Sequence, residues 1–312
     1  MSKIKVHLIL FLVMLFYAVT FSIAKDVMPR FINGEVFTFY RIGGALLLFW
    51  LISPWETKLL PSNKLRHVEP KDFIPLFIAS VFGVAYNMYM FFKGLEYTVP
   101  INGAVLMLNT PVFVLIFALI LGEEKLSIKK VIGISMAASG AIMLMYGKQF
   151  SFTGSTLKGD MLVTVNAIFY AFYLVYVRKL LAKYTVVTVS KWTFLFGFFL
   201  VLPLIGKDVL RVNHFSFPTY IMWEIGFVVF CTTFLAYLFN TWAIEKAGSV
   251  LVGTYIYLQP ILAGFIAILW GTDNFTWMKV IAGLIVLTGV FLTSDKQQEL
   301  LRKQITQRRA KM

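Results

Sequence analysis

The chain of 312 residues is 59% hydrophobic, 17% aromatic and only 14% charged, with a mean hydropathy of +0.79 and a formal net charge of +14. No soluble domain of this length hides so much apolar surface, because surface-to-volume scaling leaves an exterior that must be polar. The composition places the chain in lipid, and its single cysteine, Cys231, excludes a disulfide framework or a cysteine-rich metal centre.

A bilayer core of about 30 Å needs about 20 apolar residues in helical form. In chain order such runs cover residues 6–24, 35–52, 72–92, 100–121, 129–146, 157–178, 186–205, 221–242, 249–270 and 277–293. They lack the alternation that a membrane barrel requires, so each is expected to be a helix. The fold class expected is an all-α integral membrane protein with ten transmembrane helices. The first run also has features of a signal peptide, with Lys3 and Lys5 before it and Ser22 and Ala24 at a cleavage position. Cleavage would leave nine helices and unbalance the repeat described below, so a helix is the preferred reading.

Lys and Arg number 20 on the side of the N-terminus and 8 on the other, with Arg41 inside the second run. This asymmetry puts both termini in the cytoplasm, in a cell inner membrane. The basic tail, with Arg302, Lys303, Arg308, Arg309 and Lys311, suits anionic headgroups. Charge so placed argues against nucleic acid as a partner. A glycosylation sequon, Asn274-Phe275-Thr276, falls in a very short outer loop.

The chain repeats itself. A shift of 149 residues superposes Glu96 on Glu245, Pro111 on Pro260, Gly122 on Gly271, Lys130 on Lys279 and Gly140 on Gly289. A shift of 150 brings Thr38 onto Thr188 and Arg41 onto Lys191. Each unit holds five helices, an odd number, so two units of the same internal fold enter the membrane in opposite senses. The expected organisation is a first repeat at 1–146, a connection at 147–156, a second, inverted repeat at 157–293 and a tail at 294–312. In secondary transporters, such repeats supply two nearly equivalent conformations around a midplane site.

The stretches from Gly94 to Leu144 and from Ala243 to Leu292 resemble the two halves of an EamA-type member of the drug/metabolite transporter superfamily. Each has a proline-to-glycine-acid run followed by a helix of small residues. The second half departs from the pattern in reading Gly271-Thr272-Asp273, where the family often has glutamate after the glycine. The resemblance implies a ten-helix exporter or exchanger of small metabolites such as amino acids, with helices 1, 3, 4, 6, 8 and 9 around a cavity.

Polar side chains fall on those helices. The candidates to contact a solute are Tyr86, Asn87, Asn109, Asn166, Tyr170, Tyr173, Tyr237, Asn240, Trp242, Tyr255 and Gln259. Asn166, Tyr170 and Tyr173 share one helix face by their spacing. A buried amide is costly in hydrocarbon, so these faces are expected to point inward. Bridging between helices is the alternative for any single Asn. Aromatic faces with uncharged hydrogen-bonding groups suit a small organic solute better than an inorganic ion.

Pro111 and Pro260 cannot bond the carbonyls of Met107 and Ile256, and are read as kinks, either hinges or static bends. No Asp or Glu falls in the middle of a run, which favours facilitated or exchange transport over proton coupling. Arg41 and Lys191 could bind an anion, but snorkelling to the interface is the preferred reading, since helices 2 and 7 should be peripheral. Gly133, Ala137 and Ala141 form a small-residue stripe that suits either a homodimer seam or packing within a monomer. A catalytic role has little support. His67 and Asp72 match an HxxxxD spacing in a basic loop, but no nucleophile, phosphate-cradling loop, metal cluster or cofactor motif accompanies them. A receptor or scaffold is the remaining alternative.

Overall fold

The structure, a computed structural model, describes residues 3–59, 63–98, 100–144, 154, 156–214, 216–269 and 276–293. The sequon asparagine Asn274, the tail 294–312 and most of the 147–156 connection lie outside the described residues. Among the described residues the long elements are all helical. They are α1 (Lys3–Val27), α2 (Gly34–Ile52), α3 (Pro70–Tyr97), α4 (Pro100–Met107 and Thr110–Ile120) and α5 (Ile128–Leu144). There follow α6 (Leu157–Lys183), α7 (Val186–Arg211), α8 (Thr219–Ala247), α9 (Ser249–Thr254, Tyr255–Leu258 and Gln259–Leu269) and α10 (Trp277–Thr293).

Eight of these, α1–α4 and α6–α9, include stretches long and apolar enough to cross a membrane. Helices α5 and α10 have 17 residues each, at the short end of what a bilayer core requires. Helices α6, α7 and α8 run about a turn or more beyond the apolar runs that predict them. The added turns carry residues such as Lys183, Arg211 and Lys246, whose long stems can lie along apolar surface while their heads reach water. Leu47, Ile120, Leu210 and Phe291 are exposed on the outer face of the bundle, as a lipid solvent allows.

Local chemistry sets several ends. Asn33 caps α2 by accepting the Val36 amide at 3.0 Å, and Thr185 caps α7 by accepting that of Thr188 at 3.3 Å. Gly122 (φ 68°) follows α4 and Gly248 (φ 90°) separates α8 from α9, in the left-handed region that glycine adopts without penalty.

Four helices are irregular inside their length. Helix α3 widens to a π-helix at Val81–Ala85 and α8 does so at Val228–Leu235, positions related by the 149-residue shift. Helix α4 breaks at Leu108–Asn109, where the amides bond carbonyls three residues back, and α9 tightens into a 3₁₀ turn at Tyr255–Leu258. Pro111 and Pro260 stand in the first turn after these breaks. There a missing amide hydrogen costs little, so each proline begins a new helical segment as well as bending the old one.

Helices α5 and α10 pack face to face through small residues. A side-chain carbon on Gly289 would come within 2.5 Å of Ala137 N and Gly133 O, and one on Gly140 within 2.8 Å of Ala282 O and 2.9 Å of a Val286 methyl. Gly133, Ala137 and Gly140 stand 149 residues before Ala282, Val286 and Gly289. Each glycine therefore lies in the seat that its counterpart's neighbours make. The stripe of Gly133, Ala137 and Ala141 is consumed by this contact within the chain.

Candidate functional site

Between α1, α2, α3, α4, α6, α8 and α9 lies a cavity with about 720 Å³ of empty space, counting its open mouth and the solvent there. Its lining runs from the middle of the bundle, at Tyr237 and Ile256, towards the end where α1 and α3 finish, at Ala24 and Leu95. Its wall is mostly apolar with a few polar groups, the lining usual for a site that takes a small organic molecule.

Five of the eleven expected solute contacts line it: Asn87, Asn166, Tyr170, Tyr237 and Gln259. Asn87 and Asn166 face each other across α3 and α6. Asn87 Nδ2 donates to the Asn166 carbonyl at 3.3 Å and Asn166 Nδ2 to the Asn87 carbonyl at 2.7 Å. Asn166 Oδ1 is buried with no hydrogen-bond partner among the described residues. Tyr237 donates to the Gly83 carbonyl at 2.7 Å, inside the π segment of α3. Gln259, just before Pro260, donates to Met14 Sδ at 3.7 Å.

Asn240, Tyr173 and Tyr255 stand behind the wall. Asn240 Nδ2 donates to the hydroxyls of Tyr17 and Tyr170, at 3.2 Å each, so it orients two cavity rings without lining the cavity itself. Tyr173 stacks on Tyr170 with ring centroids 6.4 Å apart. Tyr255 bonds His7 on α1 through its hydroxyl. Tyr86 and Trp242 are half-buried and lie outside the lining, and Asn109 is exposed, its amide spent on the Leu106 carbonyl at 3.2 Å.

Arg41 corrects the snorkelling expectation. Its side chain is 6% exposed and lines the cavity, because α2 packs against the π segment of α8 and turns that face inward. Nε donates to Thr233 Oγ1 at 2.8 Å, and the guanidinium sits 5.0 Å from the centre of the Phe92 ring. Lys191 lies outside the lining, donating to Ser53 Oγ at 2.8 Å beside the Trp50 ring.

Tyr17, Thr20, Phe91, Phe92 and Thr232 are lining residues that the sequence reading did not single out. Tyr17 and Thr20 are three apart in α1, a polar face that the helical spacing could have shown. Thr20 and Thr232 share a hydroxyl contact of 2.6 Å that joins α1 to α8.

The opposite end of the bundle is tied together by charge. Lys64 pairs with Glu245 at 3.0 Å, Arg178 with Glu123 at 2.9 Å, and Lys183 with Asp72 at 2.5 Å and Glu69 at 2.7 Å. Tyr184 donates to Asp72 at 2.6 Å, so the aspartate of the HxxxxD spacing serves this clasp. Glu69 is held below the usual carboxylate range, first by its hydrogen bond from Lys183 and then by Lys71. At the cavity end, Lys93 pairs with Glu35 at 2.6 Å and Glu96 at 2.8 Å, and Glu96 also accepts the Gly34 amide at 2.5 Å.

The sequence profile of the EamA-like transporter family matches residues 4–146 and 157–295. An uncharacterized transporter of Archaeoglobus fulgidus is 27% identical over 300 residues, covering 95% of this chain and 99% of that protein. The uncharacterized transporter YyaM of Bacillus subtilis is 24% identical over 298 residues, covering 94% and 95%. Protein WALLS ARE THIN 1 of Arabidopsis thaliana is 21% identical over 337 residues, covering 96% and 85%. A crystal structure of a protein with 16% identity has the same fold, with a TM-score of 0.73 over 93% of this chain and 96% of that one.

Proposed function

The chain belongs to the EamA-like transporter family, and from that premise we propose that it is a secondary transporter that exports or exchanges small organic metabolites. The observation that carries the reading is the cavity itself. It lies between helices of both halves, open towards one end and clasped at the other by ion pairs. That is the form of one state of an alternating-access cycle, in which the clasp opens as the mouth near Lys93 closes.

The cycle we propose has ten membrane crossings in two inverted repeats. The exchange of seats between Gly140 and Gly289 is what a two-fold relation of the halves produces, and the paired irregularities of α3 with α8 and α4 with α9 agree with it. Where a helix leaves α-geometry, its backbone can adapt as the halves rock. With both termini in the cytoplasm of a cell inner membrane, the clasped end is the inner one and the cavity faces out.

Proteoliposomes loaded with a mixed metabolite pool test the proposal, read against empty vesicles with and without a pH gradient. Loss of particular solutes only where the protein is present is expected. Retention of every solute by vesicles that hold folded protein would overturn it in favour of a receptor or scaffold.

A further inference from the structure

Resting on the transporter reading, we propose that the solute is an organic monoanion, a carboxylate with an aromatic or branched apolar body, and that Arg41 binds its carboxylate. The proposal starts from an imbalance of charge. Arg41 is buried and lines the cavity, yet among the described residues no carboxylate lies within 4 Å of its guanidinium. The nearby acids at the mouth, Glu35 and Glu96, are engaged by Lys93. No Asp or Glu is among the lining residues.

The geometry prepares the fork for an anion. Thr233 gives its hydroxyl hydrogen to the Val228 carbonyl at 2.9 Å, five residues back in the π segment, which leaves its oxygen to accept Arg41 Nε. Nε is thus fixed and one guanidinium face is covered by Phe92. The two terminal amino groups have no hydrogen-bond partner among the described residues and are not buried out of reach. Two parallel N–H donors on a fixed plane match the two oxygens of a carboxylate. An unpaired cation inside a bundle is costly, and a bound anion removes that cost, so charge gives the site its selectivity.

A single cation matches a single negative charge; a phosphate monoester would bring a second charge with nothing to neutralise it. Zwitterions fit less well, because an ammonium group would find no carboxylate in the wall. The rest of the wall, with Phe91, Phe92, Tyr170, Met88 and Leu95, suits an apolar body. Lys191, the counterpart of Arg41 in the second half, points to Ser53 outside the cavity, so among the described lining residues Arg41 is the cation.

Three probes of one shape and different charge test this: phenylacetate, phenylacetamide and phenethylamine. Binding to purified protein in nanodiscs is measured by calorimetry, and flux by proteoliposomes is measured separately. Phenylacetate is expected to bind at least about ten-fold more tightly than either other probe, Arg41→Gln to abolish the difference, and Arg41→Lys to keep part of it. Lys191→Gln should leave the preference intact. Thermal unfolding of each variant identifies any that fails to fold, and Arg41→Lys then carries the test. Equal binding of the amide, no binding of phenylacetate, or a preference that survives Arg41→Gln would overturn the proposal. Selective binding of phenylacetate with retention of every solute of the mixed pool would keep the anion site and overturn the transporter reading; flux of solutes without regard to charge would do the reverse.

Discussion

Asn87 and Asn166 each give a side-chain amide to the other's backbone carbonyl, across the cavity wall between α3 and α6. Two side chains that sequence alone reads as solute contacts thereby also hold two helices in register. In a membrane such an interhelical bond contributes on the order of 1 kcal/mol, and here two are made by one pair.

Replacing Asn166 by Ala should therefore lower thermal stability in detergent as well as flux, by about 1–3 kcal/mol, because the Asn87 carbonyl loses its partner. Gln259→Ala should lower flux with little loss of stability, since its one bond is a long contact to Met14 sulfur. Unfolding curves that show equal destabilisation by both substitutions would contradict this division of roles.

Asn109→Ala is expected to transport as the wild type does, within about two-fold, because Asn109 is exposed and bonded to its own helix. Initial rates in proteoliposomes check this, and a loss of more than ten-fold would place Asn109 on the solute's path.

The Lys64–Glu245 pair joins the first half to the second at the clasped end. Such a partly exposed pair contributes about 1 kcal/mol, or about five-fold in the balance between clasped and open states. Lys64→Glu and Glu245→Lys should each shift exchange rates by that order, and the double reversal should recover most of the shift. Failure of the double variant to recover would show that the pair does not act as a latch.

Glu69 is drawn below the ordinary carboxylate range by Lys183, so its favourable contact is fully present above that range and is lost as pH falls through the lowered value. A carboxyl NMR titration should place its midpoint below about 4.3, and Lys183→Gln should raise it. A midpoint at or above the ordinary value in the wild type would contradict the clasp.

Gly289→Leu should sharply reduce the yield of folded protein, because the new side chain meets the backbone of Gly133 and Ala137. Overpacking of this kind costs about 1–3 kcal/mol or more. Gly264→Leu, where nothing lies within 4 Å, should be tolerated. Equal yields of both variants, measured by size-exclusion chromatography, would argue against the tight α5–α10 seam.

The sequence by itself determined the helical, lipid-embedded class, the approximate place of each helix and the resemblance to a transporter family. These follow from apolar length and from residues that recur at a fixed shift, which are local or one-dimensional signals. It also named Asn87, Asn166, Tyr170, Tyr237 and Gln259 of the cavity wall, because an amide or a tyrosine in the middle of an apolar run has to face inward. Only the tertiary structure decided which of those side chains reach the cavity and which stand behind it. Asn240 and Tyr173 have the same composition signal as Tyr170 but lie one layer further back. It also decided the fate of the basic pair 150 residues apart. Arg41 and Lys191 look alike along the chain, but the π segment of α8 receives one, whereas Ser53 and Trp50 at the edge receive the other. The direction of a side chain depends on what its helix packs against, and no periodicity within the helix contains that information.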